Sequence, residues 1–252
     1  MNVLNVSAEI MSLHDMIYKR RSVRSYIDVP VDMLTLSKIV KFVDDIMPLY
    51  RNIETKIQIV SRGEFGSIFP WTPEHAVAIL SEKAEGMYEN AGFILQQLEL
   101  YIQSLGLGAC WLGMGTLKRE TLKKLSDNGR MTFVGMFVFG YPKGIQQRTS
   151  GTEFVRKPLS YISDTGDIRL EPARLAPSGI NRQPWFYIED GNVFHTYCRK
   201  TVLRTLLEKT DMTSVGISLS HMYLSNPDTF RFFRQNNHEQ RHGLIYCGSF
   251  EI

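Results

Sequence analysis

Ala176-Pro177-Ser178-Gly179-Ile180-Asn181-Arg182-Gln183-Pro184-Trp185 is the stretch on which the reading of this chain turns. Two prolines and a glycine fix a turn, and Ser178, Asn181 and Gln183 hang polar side chains with little freedom around it. A short helix over residues 169–175 leads in, and Trp185 heads an apolar strand over residues 185–188. A structural turn between helix and strand explains the prolines. It does not explain so many hydrogen-bonding side chains in so rigid a loop.

Downstream, residues 212–224 read as a long helix and residues 243–247 as a terminal apolar strand. Upstream, the order of elements is similar. Helical spacing marks residues 7–18, and Pro30 and Asp32 open a second amphipathic helix over residues 34–46. Residues 56–60 and 75–80 read as strands, the second apolar enough to be buried in a sheet. The longest helical pattern covers residues 82–105, with Ala91, Ile94, Leu95, Leu98, Tyr101, Ile102 and Leu105 on one wide stripe. A short helix over residues 118–125 and an apolar strand over residues 131–139 complete this half. The polar stretch 143–152 is the linker candidate. Asn90-Ala91-Gly92-Phe93-Ile94-Leu95 and Ser214-Val215-Gly216-Ile217-Ser218-Leu219 each set a glycine early in an apolar helix, where it permits close backbone approach. The likeness is either chance or an internal repeat, residues 1–150 followed by 151–252.

Composition narrows the function classes. At 252 residues, 43% hydrophobic and 22% charged, the chain can bury a real core. A net charge of +3 is too balanced for a nucleic-acid partner, and no run approaches a membrane span. Met1 to Ser12 does not read as a signal peptide. Cys110, Cys198 and Cys247 lack ligand or redox spacing and read as buried thiols of a reducing cytoplasm. No metal-binding, hydrolase or phosphate-loop signature is present, and the six histidines are scattered.

Two further stretches carry chemistry. Lys19-Arg20-Arg21-Ser22-Val23-Arg24 offers planar, permanently charged donors and a hydroxyl suited to phosphate, or else a solvated basic face. Gly106-Leu107-Gly108-Ala109-Cys110-Trp111-Leu112-Gly113 follows a helix, unlike a dinucleotide-binding loop. Either it brings backbone flush against a flat partner, or it is a plain helix cap.

Together these stretches resemble the FMN-dependent nitroreductase family. Arg20-Arg21-Ser22-Val23-Arg24-Ser25-Tyr26 looks like the family's RRSxRxY motif, Gly106 to Gly113 its GLGxxWxG segment, Ala176 to Trp185 its APSxxNxQPW loop, and Arg156-Lys157-Pro158-Leu159 its RKPL motif. The order departs from the family pattern. There the APSxxNxQPW loop follows the RRSxR cluster closely; here residues 42–60 take that place without such a loop, and the loop appears after RKPL.

The resemblance implies an α+β, nitroreductase-like fold. Two pseudo-repeated halves, each a sheet flanked by helices, would form an intramolecular pseudo-dimer that mimics the family homodimer as a monomer. One FMN site would remain. Arg20, Arg21, Ser22 and Arg24 would hold the phosphate and ribityl chain, with Arg156 or Lys157 closing on the phosphate. Pro177, Ser178, Gly179 and Asn181 would cover the ring from the other half, and Trp111 with the backbone near Leu112, Gly113 and Met114 would face the flavin edge. The implied activity is an oxidoreductase passing electrons from NAD(P)H through flavin N5 to a nitroaromatic or quinone, ping-pong, with no protein acid or base. Rival readings are a non-catalytic flavin or nucleotide binder, or another flavin reaction on the same fold (dehalogenation, flavin fragmentation, azoline oxidation). A flavin-free reading makes the basic cluster a protein or nucleic-acid contact. Residues 62–73 and 224–240 stay unassigned; the latter, with Phe230, Phe232 and Phe233, is either a lid or packing.

Overall fold

The computed structural model describes residues 13–144, 147–201 and 204–252. Helix α1 (residues 13–19) turns Leu13, Met16 and Ile17 into the core; the expected start of this helix, residues 7–12, lies outside the described residues. Helix α2 (Met33–Phe42) starts where the Asp32 carboxylate accepts the Thr35 amide at 2.9 Å. It stops short of Ile46 because Val43–Asp45 tightens into a 3-10 turn.

The chain then runs through β1 (Thr55–Ser61), β2 (Phe65–Gly66), β3 (His75–Glu82), α3 (Met87–Ser104), β4 (Gly108–Trp111), β5 (Thr116–Leu117), α4 (Arg119–Leu125) and β6 (Met131–Gly140). After it come α5 (Leu159–Ile162), α6 (Glu171–Leu175), β7 (Trp185–Asp190), β8 (Val193–Arg199), α7 (Arg204–Ser225), β9 (Arg231–Phe233) and β10 (Leu244–Glu251). Helix α3 begins later than the periodicity of residues 82–105 implies. Glu82 still belongs to β3, and Gly86 at φ +85° turns the corner between them. Helix α7 and the terminal strand are longer than expected. Strand β8 escaped the sequence reading because His195 and Thr196 interrupt its apolar run, although both are buried in the middle of a sheet.

Two four-stranded antiparallel sheets result, in the orders β1-β3-β6-β4 and β7-β8-β10-β9. The topology is the same in both. Two paired strands are followed by a long helix, an edge strand, and a last strand that inserts between the second strand and the edge strand. A small β2-β5 ribbon and α4 are added only to the first half.

The long helices α3 and α7 cross backbone to backbone. A Cβ on Gly92 would lie 2.0 Å from the Thr213 carbonyl oxygen, and one on Gly216 would lie 1.9 Å from the Glu89 carbonyl oxygen. The contacts are reciprocal, since each glycine touches the carbonyl three residues before the other. Side chains beside the crossing are exchanged. Phe93 of α3 joins the core under the second sheet with Trp185, Tyr187, Phe194 and Phe250. Leu224 of α7 joins the core under the first sheet with Val77, Phe137 and Phe139. Each such burial contributes about 1.5–3 kcal/mol. Residues 230–233 are packing for the most part: Phe230 is buried in the second core, and β9 pairs with β10. Among the described residues no helix is long and apolar enough to cross a membrane.

Gly92→Ala and Gly216→Ala each force the crossing apart and are expected to destabilise by at least about 1–3 kcal/mol in urea unfolding. Gly63→Ala, with nothing within 4 Å of its new methyl, should stay within about 0.5 kcal/mol of the parent. Equal stability for all three would contradict the crossing geometry.

Candidate functional site

Residues 22–23 run alongside β4. Ser22 forms a parallel bridge to Ala109, and the Val23 amide donates to the Ala109 carbonyl at 2.9 Å. Gly108 makes this approach feasible, because a Cβ there would sit 2.8 Å from Val23. The flat partner expected at the glycine turn is thus partly the chain's own basic strand, while Gly106, at φ +83°, ends α3 as a plain cap.

This docking drives Arg20 inward to zero exposure. Its Nε and Nη2 donate to Glu99 Oε1 at 3.3 and 3.0 Å, and Nη2 also reaches Ser22 Oγ at 3.1 Å. Nη1 is buried and has no partner. Arg21 takes a different course: its amide donates to Gln103 Oε1 at 3.0 Å and its side chain pairs with Glu153. Arg24 is exposed, its guanidinium 5.9 Å from the Trp71 ring centre. The three arginines of the cluster therefore do not converge on one point.

Two arginines from residues 147–158 approach Arg20 instead. The Arg148 amide donates to the Lys19 carbonyl at 2.7 Å, and its side chain donates to the Arg20 carbonyl. The Arg148 guanidinium lies 4.1 Å from the Phe154 ring centre, with that of Arg156 5.8 Å away. Burial first, then the nearby Arg20 charge, push Arg156 down to about 9 and Arg148 down to about 10. A guanidinium keeps its proton regardless, so the consequence is standing repulsion that an anion would relieve.

Arg156 also joins the two decisive stretches. Its Nε donates to the Ala176 carbonyl at 3.0 Å and its Nη1 to Asn181 Oδ1 at 3.0 Å. Lys157 is committed elsewhere: its amide donates to Gln183 Oε1 at 2.8 Å and its ammonium to the Arg182 carbonyl at 3.0 Å. The loop beyond is braced internally, with the Gln183 amide donating to Ser178 Oγ at 2.9 Å and Pro177 buried beneath. Ile180, Asn181 and Gln183 hold φ of 45, 57 and 51°. A β-branched residue in this region is strained by about 1–3 kcal/mol, a cost that clusters at functional sites. Ile180 is nevertheless 83% exposed.

At the end of β4, Trp111 donates its indole N–H to Gln96 Oε1 at 3.0 Å. Leu112 is buried and its amide donates to the Met136 carbonyl at 3.0 Å, so it is spent in the sheet. Gly113, with nothing within 4 Å of a built Cβ, and Met114, 60% exposed, remain open. Sequence reasoning missed Arg148, Glu99, Gln96 and His221. The available signal was a row of polar residues, Gln96, Gln97, Glu99 and Gln103, all buried on α3.

The structure also finds a counterpart to the 176–181 loop where the sequence showed none. Pro48-Leu49-Tyr50-Arg51-Asn52 lies against α3 as Pro177 to Asn181 lies against α7. The Tyr50 amide donates to Asn90 Oδ1 at 2.9 Å, and the Gly179 amide to Ser214 Oγ at 3.4 Å. Asn90 and Ser214 each stand two residues before a crossing glycine. The bulk is reversed between the two places. Tyr50 presses its ring on Gly86, whereas Gly179 makes room for Thr210. Tyr50 also meets Phe232 edge-on at 5.2 Å.

Beside this filled place is a cavity of about 390 Å³, lined in part by Glu85, Gly86, Glu89, Glu208, Lys209, Met212, Arg234 and Tyr246. Glu89 is 7% exposed, and burial raises its carboxyl from 4.5 to about 7; Arg234 opposes that rise and Glu85 adds to it, with Cys247 close by. Between pH 4.5 and about 7 the folded chain thus keeps a proton that the unfolded chain has lost. Stability falls as pH rises through that window. Glu89→Gln is expected to flatten this part of the profile and to be more stable than the parent at pH 8 by about 1–3 kcal/mol. Urea unfolding at pH 5 and pH 8 reads this directly, and an unchanged slope would contradict it.

The fold is similar to that of a "putative nitroreductase" from Thermotoga maritima, with a TM-score of 0.60 and 18% identity over 94% of this chain and 91% of that one. A nitroreductase family protein from Clostridium difficile matches at a TM-score of 0.47 and 17% identity, over 59% of this chain and 95% of that one. A "putative nitroreductase in complex with FMN" from Desulfovibrio desulfuricans matches at 0.44 and 18% identity, over 59% and 93%. No curated protein matches the chain. The model of the family described as "Putative TM nitroreductase" matches residues 12–226, and the chain belongs to that family, with a nitroreductase-like α+β fold.

Proposed function

We propose that the chain is a flavin oxidoreductase holding one FMN between its two halves. The observation that carries this reading is the buried, unpartnered Nη1 of Arg20, crowded by Arg148 and Arg156 at the place where the 176–181 loop meets the basic strand. A buried guanidinium N–H without an acceptor, with two further guanidinium groups beside it, fits a doubly charged phosphate. Ser22 and Arg156 are placed to help hold that phosphate, and Lys157 to hold the loop. Arg21 acts through its backbone and Arg24 at the outer edge.

The strained Ile180-Asn181 backbone, tied to Arg156, supplies the cover from the second half together with Pro177, Ser178 and Gly179. Trp111 and the backbone of Gly113 and Met114 face the flavin edge, without the Leu112 amide, which is spent on Met136. Donors fixed in such a place stabilise charge developing on a bound ring. Electron transfer from NAD(P)H to an acceptor such as a nitroaromatic or quinone, in ping-pong fashion, is the chemistry that FMN supplies when bound.

The same reading makes the chain a fused pseudo-dimer acting as a monomer, with residues 1–150 and 151–252 as its halves. The repeated sheet order and the reciprocal glycine contacts support it. The symmetry mate of the site is the place that Tyr50 fills.

Arg156→Gln and Arg148→Gln are each expected to weaken FMN binding about 10–100-fold, the worth of a charged hydrogen bond. Anaerobic NAD(P)H should bleach the visible flavin band of the parent protein. Full-strength FMN binding in both variants would overturn the phosphate assignment. A flavin that stays oxidised would reduce the protein to a binder.

A further inference from the structure

Glu99 is a carboxylate with zero exposure in the C-terminal half of α3, paired with the equally buried Arg20. Buried ion pairs are often less favourable than apolar side chains of similar volume. Its surroundings show what the charge does. Oε1 accepts from Nε and Nη2 of Arg20 and from Gln103 Nε2; Oε2 accepts from Gln96 Nε2 at 3.0 Å. Both braces are themselves anchored. Gln103 Oε1 accepts the Arg21 amide at 3.0 Å, and Gln96 Oε1 accepts the Trp111 indole N–H at 3.0 Å.

The last anchor comes from the other half. Gln96 Nε2 lies 3.2 Å from His221 Nε2, and His221 Nδ1 lies 2.9 Å from the Pro172 carbonyl. Burial lowers the His221 ring to about 3, so it is neutral. Nδ1 then carries the hydrogen given to Pro172, and Nε2 accepts from Gln96. Both hydrogens of the Gln96 amide are used, one on His221 Nε2 and one on Glu99 Oε2, and Glu99 accepts from Gln96 on one side and Arg20 on the other. At Arg20 two of the three guanidinium nitrogens are held, and the third, Nη1, is left over.

We propose that Glu99 is a positioning residue, a buried strut that fixes Arg20 so that its free Nη1 meets the phosphate of the bound flavin. This rests on the FMN reading above and adds to it a residue that touches no ligand. Replacing the strut leaves Arg20 in place but free to turn toward other acceptors, so the loss falls on the phosphate and not on the ring.

FMN and riboflavin differ by that phosphate, and binding of each to the full chain is measured by fluorescence titration. The parent is expected to favour FMN. Glu99→Gln should weaken FMN about 10–100-fold while riboflavin changes less than about twofold, and Glu99→Asp, which keeps the charge, should recover part of the loss. Equal weakening of both ligands, or of neither, would overturn the proposal. If Glu99→Gln does not fold, Gln103→Met takes its place, loosening the carboxylate while keeping both charges. Its expected loss is about 3–10-fold for FMN alone, and an equal loss for riboflavin overturns the strut. A parent chain indifferent to the phosphate would instead sink the FMN reading, and the strut with it.

Discussion

Two helix backbones touch at Gly92 and Gly216, and the rest of the molecule is arranged around that contact. No side chain separates α3 from α7 there, so neighbouring side chains pass across the crossing and each helix completes the other half's core. Phe93 and Leu224 do so directly. Such close contact also brings polar groups of both helices within reach, as Gln96 and His221 show at 3.2 Å. The first turns of α3 and α7 end up against the two proline loops, 48–52 and 177–181, through matching amide contacts. In the proposed function a frame of this kind offers two related places for a ligand.

The chain treats those places differently. In one, Gly179 lies on Thr210 and the loop carries Asn181 to Arg156. In the other, Tyr50 lies on Gly86 and its hydroxyl reaches the Cys247 carbonyl at 3.3 Å, with Phe232 against its ring. The crowded arginines accompany only the first. What remains beside the second is a cavity whose buried carboxyl, Glu89, is half neutral near pH 7. In the proposed function the glycine-for-tyrosine exchange decides where a flavin can sit, and the arginines decide which end of it is held.

Much of this was legible in the sequence because it is local. Helical periodicity locates α2, α3 and α7, and the glycines at 92 and 216 mark a close approach of backbones. The proline–glycine loop at 176–185 declared a rigid, polar turn, and the family resemblance supplied the fold. What stayed hidden depends on partners distant in the chain. Arg148 reads as one polar residue among several until it is found beside Arg20. Glu99 and Gln96 interrupt an apolar stripe for no local reason. Tyr50 shares only Pro48 and Asn52 with the loop it replaces, so the likeness emerges from its contacts with α3. Trp111, expected at the ligand, also spends its indole N–H on Gln96.

In the proposed function one place holds a flavin and the other is closed by the protein's own side chains. The most direct measurement is flavin content: FMN released by denaturation from purified, FMN-saturated protein, divided by chain concentration. One FMN per chain is the expected value. Two would mean that Tyr50 does not close the second place, and none would mean that the buried arginines serve a different anion.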